Sequence, residues 1–498
     1  MIRARTGVIG GVNLPPAFFF IIKNSIFVIV KNGIKNTELD TYLGELLGDE
    51  RIPFLRSEPE PPAIRINYLK TSRKNFLDCL KRLGQSYRAI PDSPDGLILD
   101  QDSLPLSHTL AYFKGDFQYQ GIASQLPVSL LGVQPGEKVL DMAASPGSKS
   151  AQLCGLMQQK GMLVLNDSST SRMKPLNANM QKTGAVNHCT LKLRGERLGA
   201  LYPEYFDKVL IDAPCTALGT MTENHEVQRW WRYTKLEKLI HIQEQLIISG
   251  LKSLRPGGEM VYATCSVAPE ENELIVDRLL GKYPVSVLQP PDHLTSRYDR
   301  GITTYKQQPL RGDLGCAVRV FPHRHRMEGF FAIRLRKEDS VRKNSGKTGN
   351  FRKTAGAGDR DISAVLDALS SKWGIEGDIW YRYRYLMTKT RLWITAPQLE
   401  EIPGNQLVSA GLLLAEKRIS GWKLVNGSVQ FLKDHIKSRR IEMEKEELIR
   451  LFSDLVLPYK GDREDYYILT HGNEPLASVY SNGAELRLRS SHRFRLIL

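Results

Sequence analysis

Between residues 106 and 338, short apolar runs alternate with longer amphipathic stretches, as strands and helices laid down in turn would. The runs predict strands over 138–143 (KVLDMA), 162–167 (MLVLND), 189–193 (CTLKL), 207–213 (DKVLIDA) and 259–265 (EMVYATC). Apolar residues at helical spacing predict helices over 148–157, 171–184 and 236–254. Pro175 sits badly in the second of these, so that helix is expected to begin near Lys174 or to kink. LRPGG at 254–258 reads as a helix stop and turn before the next strand. A final strand pair is expected around 316–322 and 329–337. Alternation of this kind builds a parallel sheet covered by helices, an α/β fold.

The flanks have other patterns. SRKNFLDCLKRLG (72–84) predicts a helix with Ser72 as N-cap and Gly84 as stop, and AIRINYLK (63–70) alternates like a strand carrying basic residues. Residues 340–360 are polar, basic and glycine-rich, either a solvated tether or a linker touching phosphate backbone. Beyond them a further unit starts with a helix over 362–373 and an aromatic patch at 379–385 (IWYRYRY). The expected division is an N-terminal extension at 1–35, a small unit at 36–105, the α/β domain at 106–338, a linker at 339–360 and a C-terminal unit at 361–498.

Composition narrows this picture. The chain has 498 residues and a formal charge of +15, which suggests a polyanionic partner such as nucleic acid. Residues 14–30 are apolar but broken by Lys23-Asn24-Ser25, short of the roughly 20 residues a spanning helix needs. No small-residue cleavage site follows. Six scattered cysteines without CxxC or a metal-ligand cadence predict no disulfide scaffold and no metal, and fit a reducing compartment. A cytoplasmic monomer without membrane association is expected. Taken alone, any one of these cysteines reads as a small core residue.

Four segments carry candidate chemistry. VLDMAASPGSKSAQL (139–153) follows a strand and opens a helix, which suits a nucleotide-like ligand. It contains neither GxGxxG nor a P-loop, so dinucleotide binding and phosphate cradling are not supported. Asp167 ends the second strand, placed to hold ribose hydroxyls. Asp212 ends another strand and is followed by Pro214 and Cys215, while Cys265 ends the strand after that. Two strand-end thiols in one candidate cleft, outside any disulfide context, favour a nucleophile over a core residue.

In order and spacing, DMAASPGSKS, NDSSTSR, DAPCTALGT and ATCSVAPEENE resemble the successive motifs of the Sun-type RNA (cytosine-5)-methyltransferases. FKGDFQYQGIASQLPVSLL (113–131) resembles that family's lead-in segment and HRMEGFFAIRLRK (325–337) its closing strand. TKTRLWITA (388–396), AGLLLAEKRISGWKL (410–424) and EPLASVYSNGAELRLR (474–489) are similar to the PUA-like tail of its RsmF-like branch, the bacterial 16S ribosomal RNA methyltransferases. The resemblance implies a Rossmann-like S-adenosylmethionine-dependent methyltransferase domain, with a small N-terminal α/β RNA-binding unit and a C-terminal PUA-like α+β domain beside it.

The resemblance also implies roles. Cys265 would be the nucleophile that adds to cytosine C6, and Cys215 would assist product release. Asp212 would meet the base at N4 and N3, donating when protonated and accepting when ionised. Lys149 would reach the same base or the cofactor's carboxylate. Cofactor contacts would come from Ala143, Ala144, Ser145, Pro146, Gly147, Ser148, Lys149, Asp167, Arg172, Arg194 and Asp212. AIRINYLK would face RNA, and Trp230 and Trp231 would offer an aromatic support to it. Two positions depart from the family: Arg194 stands where an acid usually contacts the adenine, with Glu196 two residues on, and Gly121 replaces an acid in the lead-in. The implied partner is ribosomal RNA, with transfer RNA as an alternative. Arg194 leaves open a cofactor-impaired RNA-binding or assembly protein.

Overall fold

A computed structural model describes residues 35–58, 62–91, 93–100, 105–341, 349–461, 464–489 and 495–497, so the apolar 14–30 stretch lies outside the described residues. All five predicted strands form, and they sit side by side in a ten-stranded mixed sheet. Across it run Asp299–Arg300, Val318–Val320, Phe330–Lys337, Leu254–Thr264, Phe206–Asp212, Lys138–Asp141, Met162–Asn166, His188–Leu191 and Leu407–Ala410, with Val285–Val287 paired to Phe330–Lys337. The five from Leu254–Thr264 to His188–Leu191 are parallel. Their neighbours at either side run antiparallel. Val139, Leu140, Leu163, Val164, Val209 and Leu210 are fully buried, as strands covered on both faces require. Strand order reverses beside Lys138–Asp141: later strands add first on one side, then on the other. Open α/β sheets bind their ligands outside the carboxyl ends of the strands at such a point.

Two details of the helix and turn pattern come out differently. The helix holding Pro175 starts at Thr170, ahead of the expected Lys174, and runs to Thr183. The proline forgoes the bond an amide at 175 would make to Ser171 O, two residues past the first helical bond, Met173 N–H to Ser169 O, and the helix continues through it to Thr183. LRPGG is not a free turn, because Leu254 opens the long strand opposite Phe206. A register shift between Phe206 and Lys208 absorbs the extra residues, helped by Gly257 at φ +76°.

The flanking units interlock with the central sheet. Ala63–Ile66 is an inner strand of a four-stranded sheet whose fourth member, Phe117–Tyr119, comes from beyond the expected boundary at 105. Of the segment expected to face RNA, Ala63–Ile66 is buried, whereas Tyr68 further along it is 45% exposed. Arg65 turns inward to Gln120 (2.9 Å) and Asp95 (3.4 Å), since a buried guanidinium needs acceptors. At the C-terminal side, Leu407–Ala410 pairs with His188–Leu191 and extends the central sheet directly. A four-stranded and a five-stranded sheet complete that unit. Part of the expected tether is packed: Phe351–Lys353 pairs with Glu401–Pro403, and the Phe351 ring lies 5.3 Å from that of Tyr205. The aromatic patch mostly goes into the core, where Trp380 and Tyr385 are buried and Tyr381 stands out at 77% exposure. Among the described residues no helix is long and apolar enough to cross a membrane.

One buried ion pair ties the fold to the Cys265 segment. Arg319 Nη1 bonds both Glu273 oxygens at 2.7 Å, and its Nη2 reaches Val267 O two residues beyond the cysteine. Removing one partner would strand the other charge in the core. Arg319→Met is expected to lower unfolding stability by about 3–5 kcal/mol, read as a fall in the urea midpoint. An unchanged midpoint would show that the pair is dispensable.

Candidate active site at the switch point

The Lys138–Asp141 strand ends on a turn stitched to both neighbours, with Met142 N–H on Leu210 O (3.0 Å) and Ala144 N–H on Asn166 O (2.8 Å). Gly147, at φ +105°, turns the chain into the helix Ser148–Leu156, a conformation other residues rarely adopt. A cavity of about 220 Å³ opens here. Of the residues singled out from sequence, Ala143, Ala144, Ser145, Pro146, Ser148, Lys149 and Asp212 line it; Gly147, Asp167, Arg172, Arg194 and the two cysteines do not.

Asp167 is buried at the neighbouring strand end, where Oδ1 accepts the Ser169 N–H (2.9 Å) and Oδ2 has no hydrogen bond. Arg172 works as a staple rather than lining the cavity. Its Nη2 reaches Ser145 O, and the Ser145 hydroxyl reaches Arg172 O, each at 2.9 Å. Arg194 points to solvent, 73% exposed, and pairs with Glu196 at 3.3 Å. At that exposure it neither supplies nor blocks a cavity contact.

Asp212 and Lys149 form a pair at 2.8 Å, and the ammonium also donates to Ser124 Oγ at 2.9 Å. Burial alone would lower the Lys149 pKa, but Asp212 outweighs it, with Glu328 adding to the effect, so the net shift is upward. The Cys215 and Cys265 sulfurs are 3.2 Å apart. The Cys215 pKa is pushed well up, first by its hydrogen bond to Cys265 and then by burial.

The acidic run after Cys265 is a clamp on both cysteine loops. Glu271 accepts from Thr216 N–H (2.8 Å), from the Thr216 hydroxyl and from Gln243 Nε2 (3.0 Å), which also reaches Pro214 O (2.8 Å). Asn272 accepts from Thr264 Oγ1 (2.6 Å) and donates to Ser266 O (2.9 Å). Glu270 accepts from the hydroxyls of Tyr42 (2.8 Å) and Tyr305 (2.5 Å). Trp231, expected to support RNA, is fully buried against Tyr42 (4.9 Å). Trp230 remains partly exposed, with Lys235 Nζ 3.2 Å above its ring.

Sequence reasoning missed Asp141, Ser124 and Glu328, which all line the cavity. Asp141 offered a signal, an acid ending a strand before a small-residue turn; Ser124 and Glu328 come from distant segments and gave none. Asp141 Oδ2 accepts the Ser150 hydroxyl (2.7 Å) while Oδ1 has no hydrogen bond, and burial pushes its pKa up to about 7. A buried Asp141 oxygen without a hydrogen bond, and a buried Asp167 oxygen paired with the half-exposed Arg172 at 3.6 Å, fit a cofactor that presents a cationic amino acid moiety and ribose hydroxyls.

The sheet order and its ligand pocket define the class: an α/β methyltransferase-type domain. A solved methyltransferase homolog from Pyrococcus horikoshii has the same fold, with TM-score 0.56 and 28% identity over 65% of this chain and all of that one. Residues 128–336 match the family model for 16S rRNA methyltransferase RsmB/F. The chain is 32% identical to ribosomal RNA small subunit methyltransferase F of Erwinia tasmaniensis, covering 80% of this chain and 83% of that protein. It is 33% identical to the 26S rRNA (cytosine-C(5))-methyltransferase nsun-1 of Caenorhabditis elegans over 58% of this chain and 44% of that protein. The chain belongs to the RsmB/F family of 16S rRNA methyltransferases.

Proposed function

We propose that this protein methylates C5 of a cytosine in small-subunit ribosomal RNA, using S-adenosylmethionine and a covalent cysteine adduct. The observation that carries the reading is the pair of sulfurs 3.2 Å apart, beside the Lys149–Asp212 pair at the switch point. C5 of cytosine is a poor nucleophile. A Cys265 thiolate adding to C6 breaks the C5=C6 double bond and pushes its electrons onto the ring, which makes C5 enamine-like. When bound, the cofactor supplies an electrophilic methyl group. Its holders would be the Ala143–Ser148 turn, Asp141 and Asp167.

Asp212 and Lys149 meet the negative charge that builds on the ring as the adduct forms. Cys215, beside Cys265, promotes release: the C5 proton passes to a base, Cys215 as thiolate or a solvent water, the C5–H electrons re-form the double bond, and the Cys265 sulfur leaves C6 with its bonding pair. The target base must leave its stack to reach a thiol this deep, so an exposed or flipped nucleotide is the substrate. The flanking units, among them the PUA-like C-terminal region, hold the RNA against the catalytic domain. Ribosomal RNA rather than transfer RNA is favoured because the likeness to the Erwinia protein, over 80% of this chain, is too long to stop at the catalytic domain and reaches into the C-terminal unit.

Incubating the protein with 30S subunits carrying unmethylated 16S rRNA and methyl-labelled cofactor tests this reading. Label at one cytosine, mapped by bisulfite sequencing, is the expected result. Label on transfer RNA alone would overturn the assignment to ribosomal RNA, and no label on any RNA would overturn the activity.

Asp141 makes cofactor binding pH-dependent. Its folded pKa of about 7 lies above its ordinary value of 3.8, so folding favours the neutral acid. That preference is fully present below the unfolded value and is lost as pH rises through 7. A cationic cofactor prefers the ionised form. Affinity is therefore expected to rise by up to about fivefold between pH 6 and 7, and by up to about tenfold in all as it levels off near pH 8. Calorimetry on Asp141→Asn should give a flat profile; a slope retained in that variant would assign the titration to another group.

A further inference from the structure

Glu328 stands in the cavity wall with no role assigned above, and three observations converge on it. The first is a vacancy made for it. A Cβ built on Gly121 would lie 2.2 Å from Glu328 Oε1 and 2.7 Å from Oε2, so any side chain at 121 would expel the carboxyl. The second is a chain of hydrogen bonds. Glu328 Oε1 accepts the Ser124 N–H at 2.9 Å, and the Ser124 hydroxyl accepts from the same Lys149 ammonium that holds Asp212 at 2.8 Å. The third is its anchoring. The adjoining Gly329 donates its N–H to Gly219 O (2.8 Å), and Gly219 donates to Cys265 O (3.0 Å). The two glycine backbones touch, since a Cβ on Gly219 would lie 2.3 Å from Gly329 O.

We propose that Glu328 is a positioning residue for methyl transfer: by fixing Ser124 in the space left by Gly121, it sets the Lys149 ammonium against Asp212 at a fixed place relative to Cys265. The inference rests on the reading of Lys149 and Asp212 given above. A lysine ammonium on a flexible four-carbon stem has many positions open to it, and two held acceptors select one. Its backbone relay to Cys265 O registers that position against the nucleophile.

The test is a set of variants assayed on the same 30S subunits, with cofactor affinity measured alongside. Glu328→Gln keeps an acceptor for Ser124 N–H, Glu328→Ala removes it, and Gly121→Ala pushes the carboxyl away. Glu328→Ala and Gly121→Ala are each expected to lower kcat about ten- to a hundredfold, the scale of a small misplacement at the reacting centre. KM for the subunits and Kd for the cofactor should stay within about twofold. Glu328→Gln should recover most of the loss. The double variant should be no worse than Glu328→Ala alone, because both changes act through one carboxyl. Equal kcat in the Glu328→Ala and wild-type proteins would overturn the proposal, as would additive losses in the double variant. Lys149→Met separates the two failures: if it is inactive while Glu328→Ala is fully active, only this proposal falls. If Lys149→Met is itself fully active, the reading of the acid–lysine pair falls.

Discussion

Cys265→Ala is expected to abolish methyl transfer, with a loss of more than about 10⁴-fold, while the protein stays folded and still binds cofactor. The size follows from what the thiol does. Without an adduct at C6 the ring carries no enamine. Folding should survive because Cys265 is only partly buried at a strand end, and the bonds that hold its loop run through Thr264, Ser266 and Asn272. Cys215→Ala should behave in the opposite way. With Cys265 intact the adduct still forms, but its breakdown lacks the partner thiol 3.2 Å away. A covalent RNA–protein species should then accumulate, visible as a slow-moving band in a denaturing gel and absent from the Cys215→Ala/Cys265→Ala protein. Turnover retained in Cys265→Ala would remove the sulfur from the mechanism. If the adduct appeared with Cys265→Ala and not with Cys215→Ala, the two roles would have to be exchanged.

What the sequence told about the site follows from which contacts are local. The turn Ala143–Ser148 was legible because a strand, a small-residue turn and a helix start occupy consecutive positions, and periodicity reads consecutive positions well. Cys215 and Cys265 could be suspected because each ends a parallel strand, and adjacent strand ends share one cleft. Arg65 could not be placed this way. Its strand alternates as a surface strand would, yet the fourth strand that covers it arrives from Phe117–Tyr119. Trp231 misled for the same reason, since the helix Thr37–Leu47 that buries it is almost two hundred residues upstream. The oddity at Gly121 was visible in sequence but not its cause, because Glu328 meets it from the far end of the domain. Acidic residues 270, 271 and 273 gave no sign that they clamp buried loops; a run of glutamates reads as solvated until its partners are in view.

Asp212→Asn carries the second large effect, an expected fall in kcat of about 10²–10³-fold with little change in cofactor affinity. The carboxylate has two tasks that an amide performs poorly. It holds the Lys149 ammonium at 2.8 Å, and it presents its other oxygen to a base whose charge changes as the thiol adds. An amide can still accept one hydrogen bond, but it carries no charge to fix the ammonium. Lys149→Met should cost a similar amount, since it leaves Asp212 without its cation in a site that burial has already desolvated. The informative quantity is the coupling between them. If the pair acts as one unit, the double variant should lose little more than either single change, as groups that serve one step together are strongly non-additive. Losses that multiply would mean separate duties, with Lys149 on the cofactor's carboxylate and Asp212 alone on the base. Cofactor titration of Lys149→Met then distinguishes the two: affinity falls only if the ammonium grips the cofactor, and an unchanged affinity places it on the cytosine.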